Sequence, residues 1–204
     1  MIHTASTVTT DKNSSLIFGS RLQFQDVGGR NVIPMASRWR PPDQGSYKLN
    51  MGFSVDSCLS LAGVGFLVQD ADGTVRAAMK QRMVLCDDKL QFQATVVLAA
   101  TVVLAAVKFA FDVGFRSLDV DMSYSELYHL LQSEDPCLAF IGSLVDDILL
   151  IKNSCNDCKF SLIKSSCNKA SFSLDYRALS SATSQVWFDH CPVNISSHVL
   201  FDSS

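Results

Sequence analysis

Two cysteines three residues apart, Cys155 and Cys158, have the CxxC spacing of zinc sites and of redox-active thiol pairs. A tetrahedral zinc ion takes four protein ligands, and neither a second CxxC run nor an HxxxH pair follows in the sequence. Cys167 and Cys191 could complete such a site only if the fold gathers them. We therefore expect Cys155 and Cys158 to be reduced thiols in a loop.

A pair of carboxylates, Asp119 and Asp121, is a second place where chemistry could occur. The two alternate along a predicted short strand, so both side chains lie on one face of it. Carboxylate oxygens suit hard cations such as Mg²⁺, but a two-metal site needs more acids than this pair supplies. We expect a polar strand end, and a residual metal pair is the alternative.

His190 and Cys191 are adjacent, which would suggest a base beside a nucleophile. Adjacent residues seldom reach the geometry in which an imidazole activates a thiol. We predict instead a C-terminal tail whose Trp187 and Phe188 pack on the domain. The sequence contains neither a GxSxG run nor a glycine-rich phosphate loop.

The elements that must position these residues follow from the period of the apolar residues. Three alternating segments joined by short turns, one of them Asp70-Ala-Asp-Gly73, predict an antiparallel meander. A long helix follows, with Gly114 at its expected end. The predicted strands are Tyr47–Val55, Leu61–Gln69, Thr74–Leu85, Ser117–Asp121 and Phe160–Ser165, and the predicted helices are Leu90–Val113, Ser125–Leu131, Leu138–Ile151 and Asn168–Ala182.

The long helix contains a run of fourteen residues without a charge, 94–107, in which ATVVLA occurs twice in succession. A bilayer crossing needs about 20 apolar residues, so we expect a buried helix and no membrane partner. Two copies of so short a unit indicate a local duplication and not a repeat architecture.

Residues 1–38 are rich in Ser and Thr and show no sustained period, so we expect a disordered or weakly ordered tail there. The remainder, 39–204, is expected to form one domain, since 204 residues with 48% hydrophobic content can bury one core. The seven cysteines are an odd number, and no secretory leader precedes them. We expect an intracellular protein, cytoplasmic or nuclear, that is not secreted.

Four passages carry a resemblance to a known family: WRPPDQGSYKLN (39–50), AGVGFLVQDADGTVRAA (62–78), AAVKFAFDVGFRSLDVDMS (105–123) and WFDHCPVNISSHVLFD (187–202). In order and spacing they resemble the ribonuclease H-like domain that plants encode in many copies, the reverse transcriptase-like or RNase H type-1 family. The resemblance implies an α/β fold with a five-stranded mixed sheet, three antiparallel strands then parallel ones, and helices on both faces. It also implies a retroelement-derived module, and hydrolysis of RNA–DNA hybrids by two magnesium ions that carboxylates hold.

The metal-binding acids of that family align with four residues that lack a carboxylate: Gly52, Ala99, Ser123 and Phe172. No Asp or Glu occurs from 44 to 55, and none occurs from 90 to 111, so the first two acids have not simply shifted. A phenyl ring at position 172 can bind no magnesium. We therefore expect a degenerate, non-catalytic domain, a pseudoenzyme, that needs no cofactor.

An enzyme alternative uses other acids as a rearranged magnesium site, namely Asp56, Asp119 and Asp121. Asp56 lies four residues from Gly52, a displacement of about 13 Å along a strand, against metal–oxygen distances of about 2.0–2.6 Å. Asp56 therefore cannot simply replace an acid at position 52.

Nucleic-acid binding without cleavage depends on cations that could contact phosphates. The candidates are Arg76, Lys80, Arg82 and Arg116. A net charge of −3 gives no basic surplus of the kind that phosphate contacts favour. We expect weak binding of an RNA–DNA hybrid or RNA, or none, and a scaffold for an unknown protein partner is the remaining alternative.

Overall fold

The computed structural model describes residues 35–36, 38–56, 58–85, 91–133, 141–181 and 183–202. Most of the predicted tail, 1–38, lies outside them. The elements in chain order are β1 (Tyr47–Asp56), β2 (Leu61–Gln69), β3 (Val75–Val84), α1 (Gln91–Asp112), β4 (Ser117–Met122), α2 (Ser125–Gln132), α3 (Gly142–Ser154), β5 (Asp157–Leu162), α4 (Lys169–Leu179), β6 (Gln185–Phe188) and α5 (Ser196–Asp202).

The strands of the described residues form one mixed sheet in the order β5-β4-β1-β2-β3-β6. β1, β2 and β3 are an antiparallel meander, while β4 runs parallel to β1 and β5 runs parallel to β4. The predicted α/β class is confirmed, but the sheet has six strands and not five. The added strand, β6, pairs antiparallel with β3 within the run that was predicted to be a packed tail.

Helices cover both faces of the sheet, as predicted. On β1, Leu49 and Met51 point into the larger core cluster, which α1 also lines, whereas Gly52 faces α4. Alternate residues of a strand point to opposite faces, which explains this division. By length and composition Thr95–Asp112 could cross a membrane, and here it packs on the sheet, with Ala99 and Val103 buried.

The AGVG run of β2 lets α4 lie directly on the sheet. A Cβ atom at Gly63 would stand 2.0 Å from the backbone oxygen of Asp175, and one at Gly65 would stand 2.6 Å from its backbone nitrogen. Any larger residue at these positions would displace the helix. The two glycines therefore fix the distance between α4 and β2.

Candidate functional site

The position of the first family acid, Gly52, lies beneath α4 and contacts the position of the fourth, Phe172. A Cβ atom at Gly52 would stand 2.5 Å from Cδ1 of Phe172 and 2.6 Å from Oδ2 of Asp175. Real Cβ atoms do not approach other atoms so closely. The half-buried ring of Phe172 thus occupies the space that an aspartate side chain at position 52 would need.

The other two family positions lie in different surroundings. β1 and β4 pair Asn50 with Asp121, and Ser123 is the first residue after the end of β4. Ala99, by contrast, is buried in the apolar cluster between α1 and the opposite face of the sheet. No acidic side chain comes from either position.

The site contains one acid that the sequence analysis missed, Asp175 on α4. Its residue surface is fully buried, and the hydroxyl group of Ser54 donates a 2.5 Å hydrogen bond to its Oδ1. Its Oδ2 has no hydrogen-bond partner among the residues that the structure describes. Asp175 follows Phe172 by three residues, and residues three apart share one face of a helix. This spacing from Phe172 is the feature of the sequence from which Asp175 could have been identified as a site residue.

Burial favours the neutral form of the Asp175 carboxyl group. Removal from water raises the pKa of its carboxyl group to about 8, and the hydrogen bond from Ser54 only partly offsets this. Burial, and then the charge on Asp175, also raise the pKa of the Tyr124 hydroxyl group, whose ring stacks on Phe53 with centroids 5.1 Å apart. A protonated carboxyl group is a poor ligand for a divalent cation.

Asn168 ties the start of α4 to β1. Its side chain is buried, and its amide nitrogen donates a 2.5 Å hydrogen bond to the carbonyl oxygen of Met51. Its amide oxygen accepts a 2.5 Å hydrogen bond from the hydroxyl group of Ser171. These bonds hold Phe172 and Asp175 over Gly52.

The carboxylates of β4 are held by a lysine of β1. The ammonium group of Lys48 lies 3.7 Å from Oδ2 of Asp119 and 3.5 Å from Oδ1 of Asp121. Burial raises the pKa of Asp121 to about 6, against the attraction of Lys48, which lowers it. The indole nitrogen of Trp39 donates a 3.2 Å hydrogen bond to Asn50 beside them. A lysine therefore supplies the positive charge that these acids face.

Asp56 stabilises a turn. Its Oδ1 accepts hydrogen bonds from the backbone nitrogens of Cys58, at 3.0 Å, and Leu59, at 3.1 Å, where β1 turns into β2. Across the described ranges, no group of three or more His, Cys, Asp or Glu side chains could hold a metal ion. The residues present do not fit the pair of magnesium ions that the resemblance implies.

The four candidate cations differ in their availability. Arg76 forms ion pairs with Asp70, at 2.8 Å, and Asp189, at 3.3 Å. The guanidinium group of Arg116 lies 3.8 Å above the ring of Phe111 and donates to the backbone oxygen of that residue. Lys80 is 9% exposed, whereas Arg82 is exposed on β3. Arg82 is therefore the candidate best placed to reach a phosphate.

The fold and these positions define a ribonuclease H-like domain. The family model described as reverse transcriptase-like matches residues 52–175, more than half of the 204 residues, and the chain belongs to that family. The match begins at Gly52 and ends at Asp175, the two residues that meet in the site. A search of curated proteins found no match.

Solved structures of similar fold include ribonucleases H. The N-terminal RNase H domain of a Mycobacterium tuberculosis protein has 15% identity and a TM-score of 0.55, over 66% of this chain and 94% of that chain. RNase H1 of the archaeon Halobacterium salinarum has 14% identity and a TM-score of 0.54, over 66% of this chain and 98% of that chain. LC11-RNase H1, isolated from compost and solved with an RNA/DNA hybrid, has 13% identity and a TM-score of 0.54. The match covers 66% of this chain and 97% of that chain. At these identities the likeness establishes the fold.

Proposed function

We propose that this chain is a non-catalytic ribonuclease H-like domain that binds nucleic acid weakly. The observation that carries the proposal is the contact between Gly52 and Phe172, because a phenyl ring fills the space that the first metal-binding side chain would need. Loss of the acids alone would leave an empty site. Here the site is also filled.

The remaining acids do not support two-metal hydrolysis. That reaction needs two cations about 3.5–4 Å apart, each held by several oxygen ligands. Burial raises the pKa of Asp175 and favours its neutral form, and Asp119 and Asp121 face the ammonium group of Lys48. Asp56 accepts backbone hydrogen bonds at a turn. An enzyme built on Asp56, Asp119 and Asp121 is therefore the less favoured alternative.

Weak binding of RNA–DNA hybrid or RNA is inferred from the family fold and from the cations. A protein of similar fold, LC11-RNase H1, was solved with an RNA/DNA hybrid. In this chain the ion pairs of Arg76 and the ring contact of Arg116 leave Arg82 as the best-placed phosphate contact. One or two phosphate contacts give low affinity that falls as salt concentration rises.

A labelled RNA–DNA hybrid, incubated with the purified chain and Mg²⁺ or Mn²⁺, tests the proposal. We expect no metal-dependent cleavage, and in gel-shift titrations a weak complex that salt dissociates. Turnover that Asp121→Asn abolishes would establish the enzyme alternative and contradict the proposal. The absence of any complex, even at low salt, would contradict nucleic-acid binding and favour the protein scaffold.

The proposal includes an origin and a location. Descent from a retroelement-derived module of plant genomes rests on the motif resemblance, and an intracellular location rests on the odd number of cysteines. Localisation of a fluorescent fusion in plant cells would test the intracellular location.

A further inference from the structure

The turn between α3 and β5 contains the two cysteines of the CxxC run, and the proposed function uses neither. Cys155 directly follows the last residue of α3, and Cys158 is the second residue of β5. The backbone nitrogens of Asn156 and Asp157 both donate to the carbonyl oxygen of Arg116, at 2.8 and 3.3 Å. The turn that carries the two cysteines is thereby anchored to the residue before β4.

Both thiols lie against the larger core cluster, in different degrees of contact with water. Cys158 is 7% exposed and belongs to the cluster, whereas Cys155 is half-buried and packs at its margin. Burial raises the pKa of each thiol, that of Cys158 to about 12, and each cysteine perturbs the pKa of the other. Only two residues separate the two cysteines between the end of α3 and β5, and both side chains pack against the same apolar cluster. The positive charge of Arg116 lowers the pKa of Cys155 and so offsets part of the increase that burial causes.

We propose that Cys155 and Cys158 form a dithiol site that closes to an intramolecular disulfide by exchange with a low-molecular-weight disulfide such as oxidised glutathione. Cys155, the more accessible thiol, attacks one sulfur of the reagent as a thiolate. The S–S bond of the reagent breaks, and the first glutathione leaves as a thiolate that takes up the proton lost by Cys155. A mixed disulfide on Cys155 remains.

The second step closes the ring. Cys158 loses its proton and attacks the sulfur of Cys155, and the second glutathione leaves as a thiolate that takes up this proton. Two protein thiols are oxidised and one reagent disulfide is reduced to two thiols. The product links the end of α3 covalently to β5. Zinc is not favoured here, since the described residues bring no third Cys, His, Asp or Glu ligand to the pair.

The reaction should be slow at neutral pH, because raised pKa values leave few thiolates. Below the thiol pKa the thiolate fraction rises about tenfold per pH unit, so we expect closure to be about tenfold faster at pH 8 than at pH 7. This dependence separates exchange at these thiols from modification of an already ionised cysteine.

The test is incubation of the reduced full-length chain with oxidised glutathione at pH 8, followed by peptide mass mapping. We expect a disulfide between Cys155 and Cys158, and in Cys158→Ser a glutathione adduct that stays on Cys155. Cys155→Ser should leave Cys158 reduced. Cys58→Ser is the matched control, since it removes an exposed thiol in the β1–β2 turn and should leave closure unchanged.

Two results would overturn the proposal. One is a lasting glutathione adduct on Cys155 in the wild-type chain, which would mean that Cys158 cannot reach it. The other is modification of Cys58 while Cys155 and Cys158 stay reduced. Both results come from the wild-type chain, so the outcome does not depend on a variant that folds poorly, and neither bears on nucleic-acid binding.

Discussion

Replacement of Asp175 by Asn should stabilise the protein and remove part of its pH dependence. Asn has the shape of a protonated aspartic acid and can still accept the hydrogen bond from Ser54, but it needs no proton. In the wild-type chain, folding moves the pKa of Asp175 from 3.8 to about 8, chiefly by burial. The folded state therefore takes up a proton that the unfolded state has released.

The sign and size follow from linkage. Where the folded state binds more protons than the unfolded state, stability falls as pH rises, by about 1.4 kcal/mol per pH unit for one proton. The stability is fully present below the unfolded pKa, near 4, and is lost as pH rises towards the folded pKa, near 8. At pH 7, about three pH units above the unfolded value, the loss is about 4 kcal/mol. Asp175→Asn should recover up to that amount.

Urea unfolding, followed by the fluorescence of the tryptophans, measures the free energy of unfolding at fixed pH. Between pH 6 and 8, wild-type stability should fall by about 2 kcal/mol relative to Asp175→Asn, and below pH 4 the two should agree. Asp72→Asn, at an exposed carboxylate in the β2–β3 turn, is the matched control and should behave as wild type. Equal slopes for wild type and Asp175→Asn between pH 6 and 8 would refute the reasoning.

Three further predictions concern the packing of α4, the lysine of β1 and the phosphate contact. Gly65→Ala should lower the free energy of unfolding by about 1–3 kcal/mol, and Gly52→Ala should lower it by less. The new methyl group meets backbone atoms of α4 at position 65 but side-chain atoms at position 52. Equal losses in urea unfolding would contradict this. Lys48→Met should cost about 3 kcal/mol at pH 7, since Asp121 is left buried without its cation. Adding Asp121→Asn should recover most of that loss, and an unchanged loss in the double variant would count against the pairing. Arg82→Ala should reduce the slope of log affinity for hybrid against log salt by about one, and an unaltered slope would exclude Arg82 as a contact.

Much of the fold could be predicted because its elements have clear periods. β2 was predicted with its observed ends, Leu61 and Gln69, and α1 differs from its predicted range by one residue at each end. β5 begins three residues earlier than predicted, although Cys158, Phe160 and Leu162 alternate as buried residues. The CxxC spacing favours a loop over residues 155–158, and this prediction is wrong for Cys158, which lies in β5.

β6 could not be predicted from its own residues. It is four residues long, three of them exposed, and it has no alternation of buried and exposed positions. Its hydrogen bonds are to β3, more than a hundred residues earlier in the chain. Strand formation there depends on the edge of a sheet that already exists.

Only part of the candidate site could be predicted from the sequence. The alignment of the family acids indicated Gly52 and Phe172, but nothing local indicates that they touch. The burial of Asp175 depends on Gly52, Gly63 and Gly65, which lie on two strands distant in sequence. The position of the ammonium group of Lys48 beside Asp119 and Asp121 likewise depends on the pairing of β1 with β4.

The central claim, that this site cannot hold a pair of divalent cations, is tested most directly by crystals of the chain soaked in Mn²⁺ and measured for anomalous scattering. We predict no manganese peak within coordinating distance of residues 52, 123 and 172, with the ring of Phe172 in place against Gly52. Two peaks about 3.5–4 Å apart at that position, ligated by Asp121 or Asp175, would contradict the account.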